Sequence, residues 1–303
     1  MTSAPTVRRV VVGFDGSEPS GDALVLAQRL ADPGGSELLL ACVDAQRGFR
    51  LPHPRRQETA AAVLVAGREQ IGGGFRVTGI ERAASSAARG LTEIAEEERA
   101  DLLVLGAHHD GPKNCATPGP TAHRLLQGAP CAVAIAPLGL RDLERFHHVG
   151  VAYDGSREAD AALAAAYALA ARTGAAVSLF LTVPLGGVAH AGAMAPERDA
   201  AAQAQRNHAQ EQLDAAADAA PKGLNPRIVL LRGDPAREIA RASNGIVDVL
   251  FVGSRGYGPV HRVLAGSVSE ALLLAATQPV VVLPRGSLAA ATAGQGAPAT
   301  TAP

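Results

Sequence analysis

Short runs of Val, Leu and Ala alternate along this chain with longer segments that mix Ala with polar residues. In the second half the apolar runs cover residues 149–153, 176–183, 227–231, 247–252 and 280–283. The intervening segments 156–173, 196–219, 234–243 and 267–276 have the composition of helices, with typical caps at Ser156, Gly174 and Asp234. Apolar runs without polar alternation are typical of strands buried on both faces. The pattern therefore predicts a doubly wound α/β domain with a five-stranded parallel sheet.

The first half of the chain repeats this pattern with similar sequences. RVVVGFDGS, beginning at Arg9, matches HVGVAYDGS at His148, and DLLVLG, beginning at Asp101, matches DVLFVG at Asp248. The closing run PCAVAIAP of the first half matches PVVVLP of the second. Because the matches keep their order, we predict two tandem domains, at residues 7–138 and 147–285. Residues 286–303 are rich in Ala, Thr, Gly and Pro without periodicity, which predicts a disordered tail.

Composition and charge exclude several classes of protein. The 303 residues carry a formal net charge of -1, which argues against a nucleic-acid partner because phosphate neutralisation needs a basic surface. The three cysteines are widely spaced and odd in number, so they form no disulfide framework, as is usual in a reducing compartment. No apolar run reaches the roughly 18 residues that span a bilayer, and no signal-peptide pattern precedes the first strand. These features predict a cytoplasmic protein without a membrane partner.

Candidate chemistry lies where strands end, since ligands of doubly wound sheets bind beyond the carboxyl ends of the strands, where the strand order reverses. Asp154 follows the first strand of the second half, and the loop 253–267, GSRGYGPVHRVLAGS, follows the fourth. Glycines let backbone N–H groups approach an anion, the loop ends at a predicted helix start, and Arg255, His261 and Arg262 add positive charge. A nucleotide polyphosphate suits this loop. The composition of this loop fits an ordinary glycine-rich connection with a serine cap equally well. Asp154 has an alternative interpretation too, because aspartate is common in turns such as Asp-Gly-Ser, where its side chain bonds to the nearby backbone.

The spacing of the loop is more specific. Gly253-x2-Gly256-x9-Gly266-Ser267 resembles the G-2x-G-9x-G-[S/T] ATP-binding motif of the universal stress protein family. The resemblance extends to the Asp-Gly-Ser turn of each half, to G-D-P-A-R-E-I from Gly233, to S-V-S-E from Ser267 and to the closing P-V-V-V-L-P. It implies an adenine nucleotide alpha hydrolase-like fold with strand order 3-2-1-4-5 in each domain, and a role as a stress-response regulator.

The resemblance also implies which residues hold the ligand, namely ATP, with or without Mg2+, or another adenine nucleotide. Asp154 and the backbone at Val183 would hold the adenosine part. The ribose and phosphates would run past the fourth strand and its loop, at Val252, Gly253, Gly256, Gly266, Ser267 and Val268. Pairing through the last strands is implied as well, either in a homodimer or between the two halves of this chain.

The first half departs from the motif. Its outer glycines, Gly106 and Gly119, keep their spacing and Asp15 remains, but His109 replaces the inner glycine and Pro120 replaces the serine or threonine. A side chain at the first position crowds the backbone, and proline removes both an N–H group and a hydroxyl. We therefore predict that the second half is the main nucleotide site and that the first half is weakened or structural.

Two other kinds of function compete with nucleotide sensing. A slow ATPase or an adenylate-transferring enzyme needs a group that positions water and usually a metal site, yet the loop has no acidic residue between Gly253 and Ser269. A scaffold that has lost nucleotide binding is the third class. Residues of metal-ligand type occur in the first half without any known zinc spacing: His108, His109, Cys115 and His123. We therefore predict binding without efficient turnover and assign no catalytic or metal-ligating residue.

Overall fold

Ten strands and eight helices alternate along the described residues 7–45, 59–111, 115–140, 143–185, 195–254, 263 and 265–284 of the computed structural model. The first half contains β1 (Arg9–Gly13), α1 (Glu18–Leu30), β2 (Glu37–Ala45), α2 (Ala60–Glu69), β3 (Arg76–Ala84), α3 (Ala87–Glu97), β4 (Leu102–Gly106), α4 (Pro120–Leu125) and β5 (Ala132–Ala136). The second half contains β6 (His148–Ala152), α5 (Arg157–Thr173), β7 (Ala176–Val183), α6 (Ala195–Asp218), β8 (Arg227–Arg232), α7 (Pro235–Ser243), β9 (Val249–Gly253), α8 (Ser267–Ala275) and β10 (Val280–Leu283). The predicted alternation of strands and helices is therefore confirmed.

The strands form one sheet in the order β3-β2-β1-β4-β5-β10-β9-β6-β7-β8. Strands are parallel within each half, and among the described pairs only β5 and β10 run antiparallel. Each half thus has the order 3-2-1-4-5 that the family resemblance implies. Because the last strands pair with each other, the two halves of the chain share a single continuous sheet.

The β5–β10 pair relates the two halves by an approximate twofold axis. Val281 lies directly opposite Ala134. Corresponding residues in this part of the halves are 147 positions apart, as Asp101 is from Asp248, so Ala134 lies opposite its own counterpart. The register is therefore symmetric about this pair. As a consequence, the two sets of parallel strands run in opposite directions. The carboxyl ends of the first-half strands lie along one side of the sheet, and those of the second-half strands lie along the opposite side.

Helices cover both faces of the sheet. One face packs against α1, α2, α5 and α6, and the other packs against α3, α4, α7 and α8. On α5 the side chains turned to the sheet include Ala162, Ala166 and Ala170, which are fully buried. Such small side chains let the helix lie close to the sheet at ordinary packing density. A chain with only 3% aromatic residues can therefore fill its core.

Helices α5 and α7 have their caps at the residues that the sequence predicts. The hydroxyl of Ser156 accepts the N–H of Ala159 at 3.1 Å and begins α5, which ends at Gly174 in the left-handed region with φ of 73°. The Asp234 carboxylate accepts the N–H of Arg237 at 2.9 Å and begins α7. These side chains satisfy N–H groups that have no partner within the helix.

One arginine joins the two halves on the face that carries α1 and α5. Arg172, in the last turn of α5, donates to the carbonyl oxygens of Ala31 at 2.8 Å and Leu30 at 2.9 Å. These carbonyls lie at the carboxyl end of α1, where the helix dipole favours a positive charge. The halves are therefore held by helix contacts as well as by strand pairing.

No described helix is both long enough and apolar enough to cross a membrane. The tail predicted for residues 286–303 lies outside the described residues. The domain limits at 7–138 and 147–285 stay a prediction.

Candidate functional site

Asp15 and Asp154 close equivalent turns after the first strand of each half. In each turn the carboxylate Oδ1 accepts the backbone N–H of the serine two residues on, Ser17 or Ser156, at 3.0 Å. The glycine between them has a φ of 80° in the first half and 75° in the second, which favours glycine. Both aspartates therefore stabilise their turns, and a ligand role for either stays a prediction. The hydrogen bonds described for the two carboxylates use Oδ1, and both side chains are exposed at the carboxyl edge of the sheet.

The turn and the loop after the fourth strand emerge side by side in both halves. β1 lies between β2 and β4, and β6 lies between β7 and β9, so the strand order reverses at these points. Near the carboxyl ends, Val12 pairs with Val104, and Ala152 pairs with Val252. The structure therefore brings Asp154 to the same edge as the start of the loop at Gly253, where doubly wound sheets bind their ligands.

The first glycine of each loop has a packing role that the sequence motif does not reveal. A Cβ atom on Gly106 would lie 2.1 Å from the carbonyl oxygen of Pro19, in the first turn of α1. A Cβ atom on Gly253 would lie 2.7 Å from the carbonyl carbon of Glu158, in the first turn of α5. Glycine is therefore required so that the first helix of each half can begin directly against the end of the fourth strand.

Helix α8 begins at Ser267, as predicted, but its cap is not a serine side chain. Gly266 is the N-cap residue, and its N–H donates to the hydroxyl of Ser269 at 2.7 Å. Among the described residues no side-chain cap is found for the N–H groups of the first turn, and Ser267 is exposed at the first helical position. Ser267 therefore lies at the first helical position, and the serine hydroxyl that takes part at this helix start is that of Ser269. Gly119 occupies the equivalent N-cap position before α4.

A cavity of about 490 Å³ lies at the carboxyl edge of the first half. It brings together Asp15, Gly106 and Gly119, three of the residues that the sequence predicts for that half. Its lining is more apolar than polar, and it includes His108 and His109. This volume lies within the range of small-ligand pockets, about 300–1,000 Å³. The first half therefore keeps a concave site although its loop departs from the motif.

The second half is described only in part at the corresponding place. Arg255, Gly256, His261 and Arg262 lie outside the described residues. Val252 is buried in β9, and Val268 lies half-buried in the first turn of α8. Asp154, Gly253, Gly266 and Ser267 occupy the positions at this edge that Asp15, Gly106, Gly119 and Pro120 occupy in the first half.

Two buried hydroxyls in the second half were missed by sequence reasoning. Thr182 Oγ1 and Ser254 Oγ are inaccessible and have no hydrogen-bond partner within the described part of the chain. Thr182 is 139 positions after Val43, as Asp154 is after Asp15, and Ser254 is 147 positions after Ala107. Val43 and Ala107 both line the first-half cavity. Thr182 and Ser254 therefore occupy the positions in the second half that correspond to two apolar residues of the cavity lining in the first half.

Val183 and the Gly233 segment are joined by a backbone contact. The carbonyl oxygen of Val183 accepts the N–H of Gly233 at 2.9 Å, and Gly233 has a φ of 133°. The segment beginning at Gly233 thus links the end of β7 to α7, whose cap is Asp234. A ligand that used the Val183 carbonyl would share it with this N–H group.

Tyr153 directly precedes Asp154, and burial keeps its hydroxyl protonated. The Tyr153 hydroxyl donates to Asp160 Oδ1 at 2.8 Å. Burial, together with the adjacent Asp160 carboxylate, raises the pKa of Tyr153 well above its usual range. Tyr153 is therefore neutral at physiological pH and acts as a hydrogen-bond donor that fixes the start of α5.

Each loop after a fourth strand forms hydrogen bonds with the opposite half. Val263 and Ala265 of the second loop donate to the carbonyls of Ala129 and Leu126, both at 2.8 Å. The reciprocal bond runs from Ala116 in the first loop to the carbonyl of Ala276, at 3.2 Å. The loop of each candidate site is therefore hydrogen-bonded to the other half of the chain.

The family model for the universal stress protein family matches residues 6–137 and 145–284. The two matched segments coincide with the two halves described above and cover most of the chain. This chain belongs to the universal stress protein family.

Relatives in this family match this chain over nearly their whole length. Universal stress proteins of Mycobacterium tuberculosis (strain ATCC 25618 / H37Rv) and Mycobacterium bovis (strain ATCC BAA-935 / AF2122/97) are each 26% identical to it over 292 residues, covering 91% of this chain and 99% of the relative. A crystal structure from Pseudomonas aeruginosa UCBPP-PA14 matches with a TM-score of 0.68 and 19% identity, covering 95% of this chain and 98% of the other. A universal stress protein of Archaeoglobus fulgidus DSM 4304 matches with a TM-score of 0.64 and 20% identity, covering 92% and 98%. At these identities the solved structures establish the shared fold.

Proposed function

We propose that this universal stress protein binds ATP or a related adenine nucleotide, mainly in its second half, and acts as a stress-response regulator. The observation that carries the proposal is a pair of buried hydroxyls, Thr182 Oγ1 and Ser254 Oγ, that have no hydrogen-bond partner among the described residues. A buried hydroxyl without a partner costs roughly 1–3 kcal/mol. A polar ligand that took the place of the atoms covering these two hydroxyls would supply both partners, whereas the apolar Val43 and Ala107 of the first half have no such requirement.

The start of α8 supports a phosphate-bearing ligand. Its first-turn N–H groups at Ser267 and Val268 receive no side-chain cap from the part of the chain that the structure describes. Such groups, together with the helix dipole, favour an anion at a helix N-terminus. In the first half, Pro120 stands at the position of Ser267 and has no N–H to offer. This difference favours the second half as the site for the phosphates.

The adenosine part would lie toward Asp154 and the end of β7. A carboxylate that is exposed beside the switch point can accept hydrogen bonds from ribose hydroxyls. With three Tyr, six Phe and no Trp in the chain, aliphatic side chains and backbone groups would hold the adenine, with little stacking.

We further propose that binding occurs without efficient turnover. Residues 253–269 include no acidic side chain that could orient water or hold a metal ion beside the phosphates. The output of binding would then be a change in the loop contacts with the opposite half. A slow ATPase and a scaffold that no longer binds nucleotide are the competing functions.

The test is a calorimetric titration of the full-length protein, freed of co-purified ligand, with ATP, ADP, AMP and cAMP, with and without Mg2+. His109→Glu and Gly256→Glu place the same charge at equivalent positions, which lie 147 residues apart. We expect Gly256→Glu to abolish the tighter binding event and His109→Glu to leave it unchanged.

Each competing function has its own outcome in this experiment. The reverse pattern would place the main site in the first half and refute that part of the proposal. Wild-type protein that binds none of the four nucleotides indicates the scaffold, and steady phosphate release from ATP indicates the enzyme.

A further inference from the structure

The loop of the first half carries three adjacent side chains of metal-ligand type. One ligand atom from each of His108, His109 and Asp110 lies within 4.8 Å of the other two. His109 Nε2 is already 3.1 Å from Asp110 Oδ2, and the two imidazole centroids are 5.0 Å apart. We infer that these three residues bind a divalent transition-metal ion of the Zn2+ class beside the first-half cavity.

The distances suit such an ion after small side-chain movements. Ligand atoms about 2.1 Å from a tetrahedral zinc ion lie about 3.4 Å apart, so the widest separation has to close by little more than an ångström. His109 and Asp110 have 71% and 72% of their side-chain surface exposed. Exposed side chains can rotate toward an ion without repacking the core.

The backbone of the loop holds the three residues on one turn. The His108 N–H donates to the carbonyl of Thr117 at 2.8 Å, and the Gly111 N–H donates to the carbonyl of His108 at 2.9 Å. The Asp110 N–H also lies 3.3 Å from His108 Nδ1. That bond is long for an N–H donor, so exchanging it for a metal–nitrogen bond costs little.

The position of the cluster gives the ion an open face. His108 and His109 line the 490 Å³ cavity. Two imidazoles and one carboxylate leave a fourth tetrahedral position for water or an anion, as in zinc sites that bind exchangeable ligands. An ion held here would add positive charge beside the first-half cavity, where Pro120 offers no N–H group at the start of α4.

The second half lacks this ligand set. The residues 147 positions after His108, His109 and Asp110 are Arg255, Gly256 and Tyr257. None of these three is a common zinc ligand. The metal site is therefore a property of the first half, and it does not depend on whether the second half binds nucleotide.

The experiment titrates full-length, EDTA-treated protein with Zn2+ in competition with a chromophoric chelator, in the absence of nucleotide. His109→Gly introduces the residue of the second-half loop, and Asp110→Asn removes one ligand charge with little change in size. His123→Gln, which alters a histidine outside the cluster, is the matched control. Circular dichroism checks that each variant is folded.

We expect wild type and His123→Gln to bind Zn2+ alike, and His109→Gly and Asp110→Asn to bind at least tenfold more weakly or to lose one equivalent. Co2+ bound at the site should show no thiolate charge-transfer band, since Cys115 is not part of the ligand set. Unchanged binding in both variants, no saturable binding by wild type, or a thiolate band that depends on Cys115 would each overturn the inference.

Discussion

The amide N–H of Ala265 lies 2.8 Å from the carbonyl oxygen of Leu126, across the boundary between the two halves. Ala265 precedes the N-cap of α8, and Leu126 is the C-cap of α4. The position 147 residues before Ala265 is Pro118, which has no N–H to donate to the other half. The contact is therefore one-sided: the second loop is bound to the first half by a hydrogen bond that has no symmetric counterpart.

Replacing Ala265 by proline should remove this bond with little change of shape, because proline already occupies the equivalent position 118. The carbonyl of Leu126 then loses a partner. We expect the free energy of unfolding to fall by about 1 kcal/mol, measured by urea titration. Pro118→Ala is the matched control and should change stability less, since the hydrogen bond it permits is offset by the greater entropy of the unfolded chain. Equal effects of the two substitutions would contradict this account.

Gly106→Ala and Gly253→Ala should each destabilise the fold, because the new methyl group would meet the backbone of Pro19 or Glu158 at 2.1 Å or 2.7 Å. Backbone at the start of a helix cannot move aside as a flexible side chain does, and overpacking of this kind costs about 1–3 kcal/mol. Gly73→Ala is the control, since no atom lies within 4 Å of its added Cβ. Thermal unfolding of the three variants measures the difference. Midpoints that fall equally for all three would show that the close approach is not the cause.

The sequence predicts the fold well because its signals are local. The apolar run at 280–283 has no polar alternation, and Ser156, Gly174 and Asp234 mark helix ends by their own side-chain or backbone preferences. These features need no knowledge of the partner element. Because the chain repeats, a helix or strand predicted in one half supports the equivalent prediction in the other half.

Features of the candidate site that depend on contacts between elements could not be predicted in this way. The proximity of Gly106 to Pro19 joins residues of different elements, and nothing in the loop spacing indicates it. That the buried hydroxyls of Thr182 and Ser254 have no partner in the described ranges is visible only when burial and hydrogen bonds are known. The proximity of His108, His109 and Asp110 is set by the conformation of the loop, so no known zinc spacing in the sequence indicates it.

Cys131 should react with thiol reagents only when the protein unfolds. Burial raises the pKa of its thiol to about 12, and the charge of Asp101 adds to the shift. The thiolate, which is the reactive form, is therefore absent from the folded protein near pH 8. Cys42 and Cys115 are partly exposed, so brief alkylation followed by mass spectrometry should label these two and spare Cys131.

The raised pKa of Cys131 should make the free energy of unfolding fall as the pH rises. In the unfolded chain a thiol titrates near 8.5, so the unfolded state releases its proton first as the pH rises. The contribution of Cys131 to stability is complete below about pH 8 and declines as the pH rises toward 12. In Cys131→Ala this decline should be smaller. Rapid labelling of Cys131 in the folded protein at pH 8 would contradict both expectations.

Thr182→Val and Ser254→Ala give the second half the residues that line the first-half cavity. Each substitution removes a buried hydroxyl that has no partner among the described residues. Removing an unsatisfied polar group is neutral or stabilising, so the free energy of unfolding without ligand should stay the same or rise by up to about 1 kcal/mol. If a nucleotide supplies the missing partners, each variant should bind it about three- to tenfold more weakly, the effect of one net hydrogen bond.

Opposite changes in stability and affinity separate a ligand role from a structural one. Calorimetric titration of ATP and urea unfolding of the free protein measure the two quantities on the same samples. The reverse substitutions in the first half, Val43→Thr and Ala107→Ser, are the matched controls, and they should lower stability because they bury hydroxyls in an apolar wall. Loss of stability in Thr182→Val and Ser254→Ala without loss of affinity would mean that these hydroxyls find partners inside the protein, and the proposed site would then lose its main support.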